Sequence, residues 1–176
     1  MKSYIPFSSI GYSSREGNST VSFTGSSART WADFAYHLSV LRAHIRSSSN
    51  DRWILNCDDI YLFACALTAV LQCGKEALLC ANTTGAFIDE ISTPGTGFFA
   101  GQELPGSVCL PALIAAAGPT LDLPESDLVF PRIVADDARI TLYTSGSTGK
   151  PKAFPKRLTE LEVEAGELCR IWGDLI

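Results

Sequence analysis

Long apolar runs are missing from this chain. The most hydrophobic stretch, residues 60–71, is too short to cross a bilayer and reads as a buried helix. Residues 1–10 hold a lysine and scattered apolar side chains (Tyr4, Ile5, Phe7) but not the continuous apolar segment of a secretory signal. A cytoplasmic protein with no membrane span is therefore expected. An excess of positive charge is missing as well: 14 Lys and Arg against 19 Asp and Glu leave a net charge of -5 at pH 7, which argues against broad nucleic-acid binding. Close-set cysteine pairs are absent. The six cysteines stand at 57, 65, 73, 80, 109 and 169, none in Cys-x-x-Cys spacing, and Cys57, Cys65, Cys73 and Cys80 fall in apolar segments, so buried reduced thiols are expected. The two histidines, His37 and His44, lie seven apart on one expected helix with no third ligand, which makes a poor metal centre. Asp136 and Asp137 are adjacent carboxylates in a polar turn, read as solvated.

Two common nucleotide signatures are also lacking. A Walker loop needs four residues between its glycines and a Ser or Thr after the lysine; here two residues separate Gly146 from Gly149, and Pro151 follows Lys150. No Gly-x-Gly-x-x-Gly opens a helix anywhere.

What is present is a different anion-binding pattern. Residues 140–143 are apolar or β-branched and run directly into hydroxyls, glycines and lysines, as a buried strand delivers a loop to a polyphosphate. Gly146 and Gly149 let the backbone approach a ligand so that successive N–H groups converge on phosphate oxygens. Thr144, Ser145, Ser147 and Thr148 add hydroxyl donors, and Lys150 and Lys152 add positive charge. Pro151 biases Lys150 toward extended geometry, so the two lysines are expected to leave the loop in different directions.

The segment Tyr143-Thr-Ser-Gly-Ser-Thr-Gly-Lys-Pro-Lys152 resembles the phosphate-binding signature of the adenylate-forming superfamily, which includes acyl-CoA synthetases, aryl-CoA ligases, luciferases and peptide-synthetase adenylation domains. The resemblance implies that Thr144, Ser145, Gly146, Ser147, Thr148 and Gly149 cradle the β- and γ-phosphates of ATP, with Lys152 as the charged arm. It also implies Mg2+, a carboxylic acid substrate, and CoA or an acyl-carrier protein as thiol acceptor. Ala153 stands where the family usually has glycine, and Leu158 where many members have histidine. Residues 53–75 are similar, less specifically, to the first αβ unit of acyl-CoA-synthetase-like ligases. The fold so implied is α/β: a partial N-terminal domain of the adenylate-forming fold, with a mostly parallel sheet flanked by helices.

Periodicity fills in the organisation. Residues 1–27 are expected to be extended, with a short strand at 21–23. Thr30 caps a first helix in which Trp31, Phe34, Leu38, Leu41 and Ile45 recur at helical spacing. A strand at 53–56, a helix at 60–73 capped by Asp58 or Asp59, a strand at 77–80 and a short helix from about 82 to 91 alternate as a parallel sheet requires. Tyr61, Phe63 and Leu67 are assigned to the core. Residues 93–137 read as a Gly/Pro-rich irregular region: a loop at 93–106 with Phe98 and Phe99 folded back, a helical turn at 110–117 and short strands at 121–137. The phosphate loop spans 140–153, with a helix after it. There Thr159 and Glu162 are expected to form a capping box, and Leu161, Ala165, Leu168, Trp172 and Leu175 an apolar stripe open to self-association.

The chain is thus read as an amino-terminal fragment of an ATP-dependent acyl ligase, catalytically silent by itself. The alternative is a non-catalytic nucleotide- or polyphosphate-binding or structural unit.

Overall fold

The computed structural model describes residues 5–10, 17–24, 27–80, 84–118, 130–145 and 150–172. Strands β1 (Thr20–Thr24) and β2 (Ser27–Thr30) form an antiparallel hairpin at the amino end. Helix α1 (Trp31–Ser47) starts where Thr30 and Asp33 close a capping box: the Asp33 amide donates to Thr30 Oγ1 at 3.2 Å and the Thr30 amide to Asp33 Oδ2 at 2.8 Å. The central sheet then assembles from β3 (Arg52–Asn56), β4 (Glu76–Cys80), β5 (Thr96–Ala100), β6 (Val108–Cys109), β7 (Arg139–Ser145) and β8 (Pro151–Arg157). Its order is β6-β5-β3-β4-β7-β8; every pairing is parallel except β7 with β8. The other helices are α2 (Ile60–Gln72), α3 (Gly85–Ile91), α4 (Leu110–Ala116) and α5 (Leu158–Trp172).

Strand β3 explains the layering. Its side chains alternate faces, and both faces are buried. Trp53 and Leu55 join Phe34, Leu38, Leu41 and Ile45 of α1 and Cys65, Ala66, Ala69 and Val70 of α2 in the main core. Ile54 and Leu78 point the other way, onto Phe87, Ile88 and Ile91 of α3. Tyr61 is buried, and Phe63 and Leu67 pack against the same core, as expected. Helix α2 is capped at its start by Asp59, whose Oδ1 accepts from the Leu62 amide at 3.0 Å, and it ends at Gly74, whose φ of 67° a side chain would resist.

Three expectations are corrected. Residues 96–100 are not loop but the parallel strand β5, in register with β3 (Trp53 beside Gly97, Ile54 beside Phe98), because Phe99 fills the core from a position that glycines and prolines disguise. Residues 130–137 form coil and turn, not strand; 121–129 lie outside the described residues. Between the phosphate loop and α5 stands a whole strand, β8, so residues 151–153 are sheet and not loop.

Candidate phosphate-binding hairpin

The connections set the position of the site. From its carboxyl end β3 leads to α2 on one face, and β4 leads to α3 on the other. Chains that part in this way open a crevice at the carboxyl ends of the strands, the usual ligand position in open α/β sheets. Strand β7 runs parallel to β4 and ends at the same edge, with Cys80 beside Tyr143, and there the chain turns back as β8. The described residues of the signature, 143–145 and 150–152, therefore lie at the end of a β-hairpin on that edge.

Register fixes the arms of the hairpin: Tyr143 opposite Ala153, Thr144 opposite Lys152, Ser145 opposite Pro151. Gly146, Ser147, Thr148 and Gly149 lie outside the described residues. Pro151 and Pro155 are tolerated because β8 is the sheet's edge, where a missing N–H costs no ladder bond to a further strand. Thr144, Lys150 and Lys152 are exposed. The Lys152 ammonium lies 5.0 Å from the centroid of the Phe154 ring, and among the described residues no carboxylate pairs with it. Lys156, four residues further along β8, does have a partner: Glu164 Oε1 at 3.0 Å, a hydrogen bond that raises its pKa. Lys152 is thus the arm left available for an anion.

The chemistry around the edge is inert. Burial, with Asp59 and Asp58 close by, pushes the Cys57 thiol up to about 12, and burial alone pushes Cys80 up to about 11, so neither is a thiolate nucleophile near neutrality. The described cysteines are free. Asn56, Asp58, Asp59, Gly101 and Gln102 line a shallow hollow of about 210 Å3 at the ends of β3 and β5, but Asp59 is already engaged as the α2 cap. Asp136 Oδ1 accepts the Thr159 hydroxyl at 2.7 Å. Among the described residues no three of His, Cys, Asp and Glu converge as metal ligands would.

Thr159 and Glu162 do not form the expected capping box. The helix begins two residues earlier, so Glu160 takes the capping position and accepts from the Arg157 amide at 2.7 Å. Glu162 instead receives Ser8, backbone to Oε1 at 2.6 Å and hydroxyl to Oε2 at 3.2 Å. The apolar stripe is half covered: Leu158 is buried and Leu161 packs on the core, while Leu168 and Trp172 are about half exposed; Leu175 lies outside the described residues. Sequence reasoning also missed the row Arg52, Glu76, Arg139 and Arg157 across neighbouring strands, for which the only signal is the charge at the first or last residue of each strand.

No protein-family model matches the chain, and no curated protein matches it. Solved structures do. The NpsA N-terminal subdomain of Klebsiella oxytoca, in complex with 3-hydroxyanthranilyl-AMSN, superposes with a TM-score of 0.57 at 21% identity, over 80% of this chain and 37% of that one. The o-succinylbenzoate coenzyme A synthetase MenE of Bacillus subtilis, in complex with AMP, gives 0.58 at 17%, over 84% and 41%. Apo MatB of Rhodopseudomonas palustris gives 0.59 at 16%, over 94% and 37%. The fold is that of the N-terminal subdomain of adenylate-forming enzymes. The chain spans about two fifths of the length of these neighbours. Among the described residues no helix is long and apolar enough to cross a membrane.

Proposed function

We propose that this chain is the phosphate-holding N-terminal part of an ATP-dependent carboxylate ligase. The complete enzyme would join a carboxylic acid to AMP with release of pyrophosphate, then pass the acyl group to the thiol of CoA or a carrier protein. One observation supports this above all: a ten-residue phosphate signature falls on a hairpin tip at the carboxyl edge of a parallel sheet whose fold is that of adenylate-forming enzymes. In this reading Thr144, Ser145, Gly146, Ser147, Thr148 and Gly149 surround the β- and γ-phosphates and Lys152 neutralises them. Magnesium would accompany the triphosphate, and we assign it no ligand among the described residues.

Adenylation depends on several positioned donors and cations, each worth about 2.7–4 kcal/mol of barrier. A chain with two fifths of its neighbours' length supplies only some of them, so binding without turnover is expected. Titration calorimetry with ATP should detect binding, and Lys152→Ala should weaken it about ten- to a hundredfold, the loss of one charge-assisted contact of about 1.5–3 kcal/mol. Pyrophosphate release with a panel of fatty and aryl acids should stay at background. ATP affinity equal in the wild-type chain and Lys152→Ala, or no affinity in either, would remove the proposal. A second reading is a nucleotide- or polyphosphate-binding unit without catalysis. That reading gains if silence persists when the missing part is supplied in trans.

A further inference from the structure

A second concave surface lies on the α3 face of the sheet, away from the hairpin tip. Arg52, Glu76, Arg139, Thr141, Tyr143, Pro155 and Arg157 line a groove of about 560 Å3. Its charges are not balanced. Glu76 is fully occupied: Oε2 accepts Arg52 at 3.0 Å and Oε1 accepts the Thr141 hydroxyl at 2.6 Å. Glu160, which also lines the groove, caps α5 through the Arg157 amide. Lys156 is paired with Glu164, and Asp137 borders an adjoining hollow with Arg139 without reaching ion-pair distance of it. Arg139 and Arg157 remain. They sit directly opposite one another in the antiparallel β7–β8 ladder, both exposed, and among the described residues neither has a carboxylate partner. Opposed like charges destabilise such a pair unless something anionic lies between them. Two planar guanidinium side chains lining one groove from paired positions suit an oxyanion that accepts bidentate bonds.

We propose that this groove is a second anion site, separate from the hairpin tip, that takes a phosphate-class oxyanion held between Arg139 and Arg157. The floor of Tyr143 and Pro155 lets the anion carry a flat apolar substituent. Arg157 lies five residues from Lys152 along β8, about 16 Å at strand spacing, so the two sites can be tested apart.

The experiment is a thermal-shift and 31P NMR titration of the full chain with inorganic phosphate and, separately, phenyl phosphate. Both are expected to bind and stabilise, and their order of affinity tells the free ion from an ester. R139Q and R157Q are each expected to weaken binding about tenfold, the loss of one charged contact, and to do so to the same extent in a K152A background, where the hairpin arm is absent. R139K and R157K, which keep the charge but not the fork, serve if a glutamine variant fails to fold, and are expected to lose less. Phosphate binding that follows Lys152 and ignores both arginines overturns the proposal, as does absence of binding. Neither result bears on ATP affinity at the hairpin.

Discussion

Gly97→Ala tests the packing that holds the sheet together. Gly97 lies beside Trp53 in the β3–β5 register, and a Cβ built there meets the indole at 2.5 Å from Cε3, 2.6 Å from Cζ3 and 2.7 Å from Cδ2. Carbon atoms settle about 3.5–4.0 Å apart, so the ring would have to retreat by roughly 1 Å. It has nowhere to go. Trp53 is 1% exposed and stacks on Phe99 with centroids 4.2 Å apart and planes 18° apart, while His44 closes its edge at 5.8 Å. Overpacking costs about 1–3 kcal/mol, and a rigid ring held between two others belongs at the upper end, about 2–3 kcal/mol. For a chain of this length each kcal/mol moves the melting point by about 2–4 °C, so a fall of about 4–12 °C is expected in thermal unfolding followed by far-UV circular dichroism. The cause can be isolated with Trp53→Leu, which removes the clashing atoms: the alanine penalty should shrink in that background, by a coupling of about 0.5–3 kcal/mol. A melting point within about 1 °C of the parent, or the same penalty in both backgrounds, would refute the reasoning.

Other consequences follow from single contacts. Glu162→Ala removes both bonds to Ser8 and should cost about 1–2 kcal/mol, with the Ser8 amide losing protection in hydrogen exchange; unchanged exchange would count against the tie. Burial holds His37 and His44 below histidine's ordinary 6.5. The unfolded chain therefore binds more protons once the pH falls below 6.5, and stability present above that value is lost progressively below it. A double His37→Gln, His44→Gln variant should show a flatter melting-point profile between neutral and mildly acid pH. The exposed end of α5, with Leu168 at 50% and Trp172 at 52%, should drive self-association in light scattering at high concentration, and Leu168→Glu should reverse it; a wild-type chain that stays monomeric would dispose of the idea.

How far the fold could be read depended on how each residue's role shows in its neighbours. Helices α1 and α2 were legible because an apolar stripe of 3.6 period and a capping residue, Thr30 or Asp59, are local signals. Strand β5 was not. It is buried through Phe99 and in contact through Gly97, and a glycine chosen for close approach to an indole looks, in sequence, like a loop glycine. Strand β8 was hidden by its prolines, which only edge position permits, and edge position is a property of the whole sheet. The phosphate signature stood out by residue chemistry alone, but its place on a β-hairpin did not, and neither did the groove: Arg139 and Arg157 are eighteen positions apart in the sequence and become neighbours only through β7–β8 pairing.

The two departures from the ligase signature illustrate the same division. Ala153, where the family usually has glycine, pairs with Tyr143 in the ladder and is exposed. It borders the groove, and the ladder keeps its register around it, with Lys152 opposite Thr144. Leu158 is a different matter. It is 3% exposed, its amide donates to the Ala138 carbonyl at 2.9 Å, and it joins the main core at the first turn of α5. A histidine there would carry a polar ring into an apolar site and require a partner. In this chain Leu158 therefore anchors α5 to the sheet.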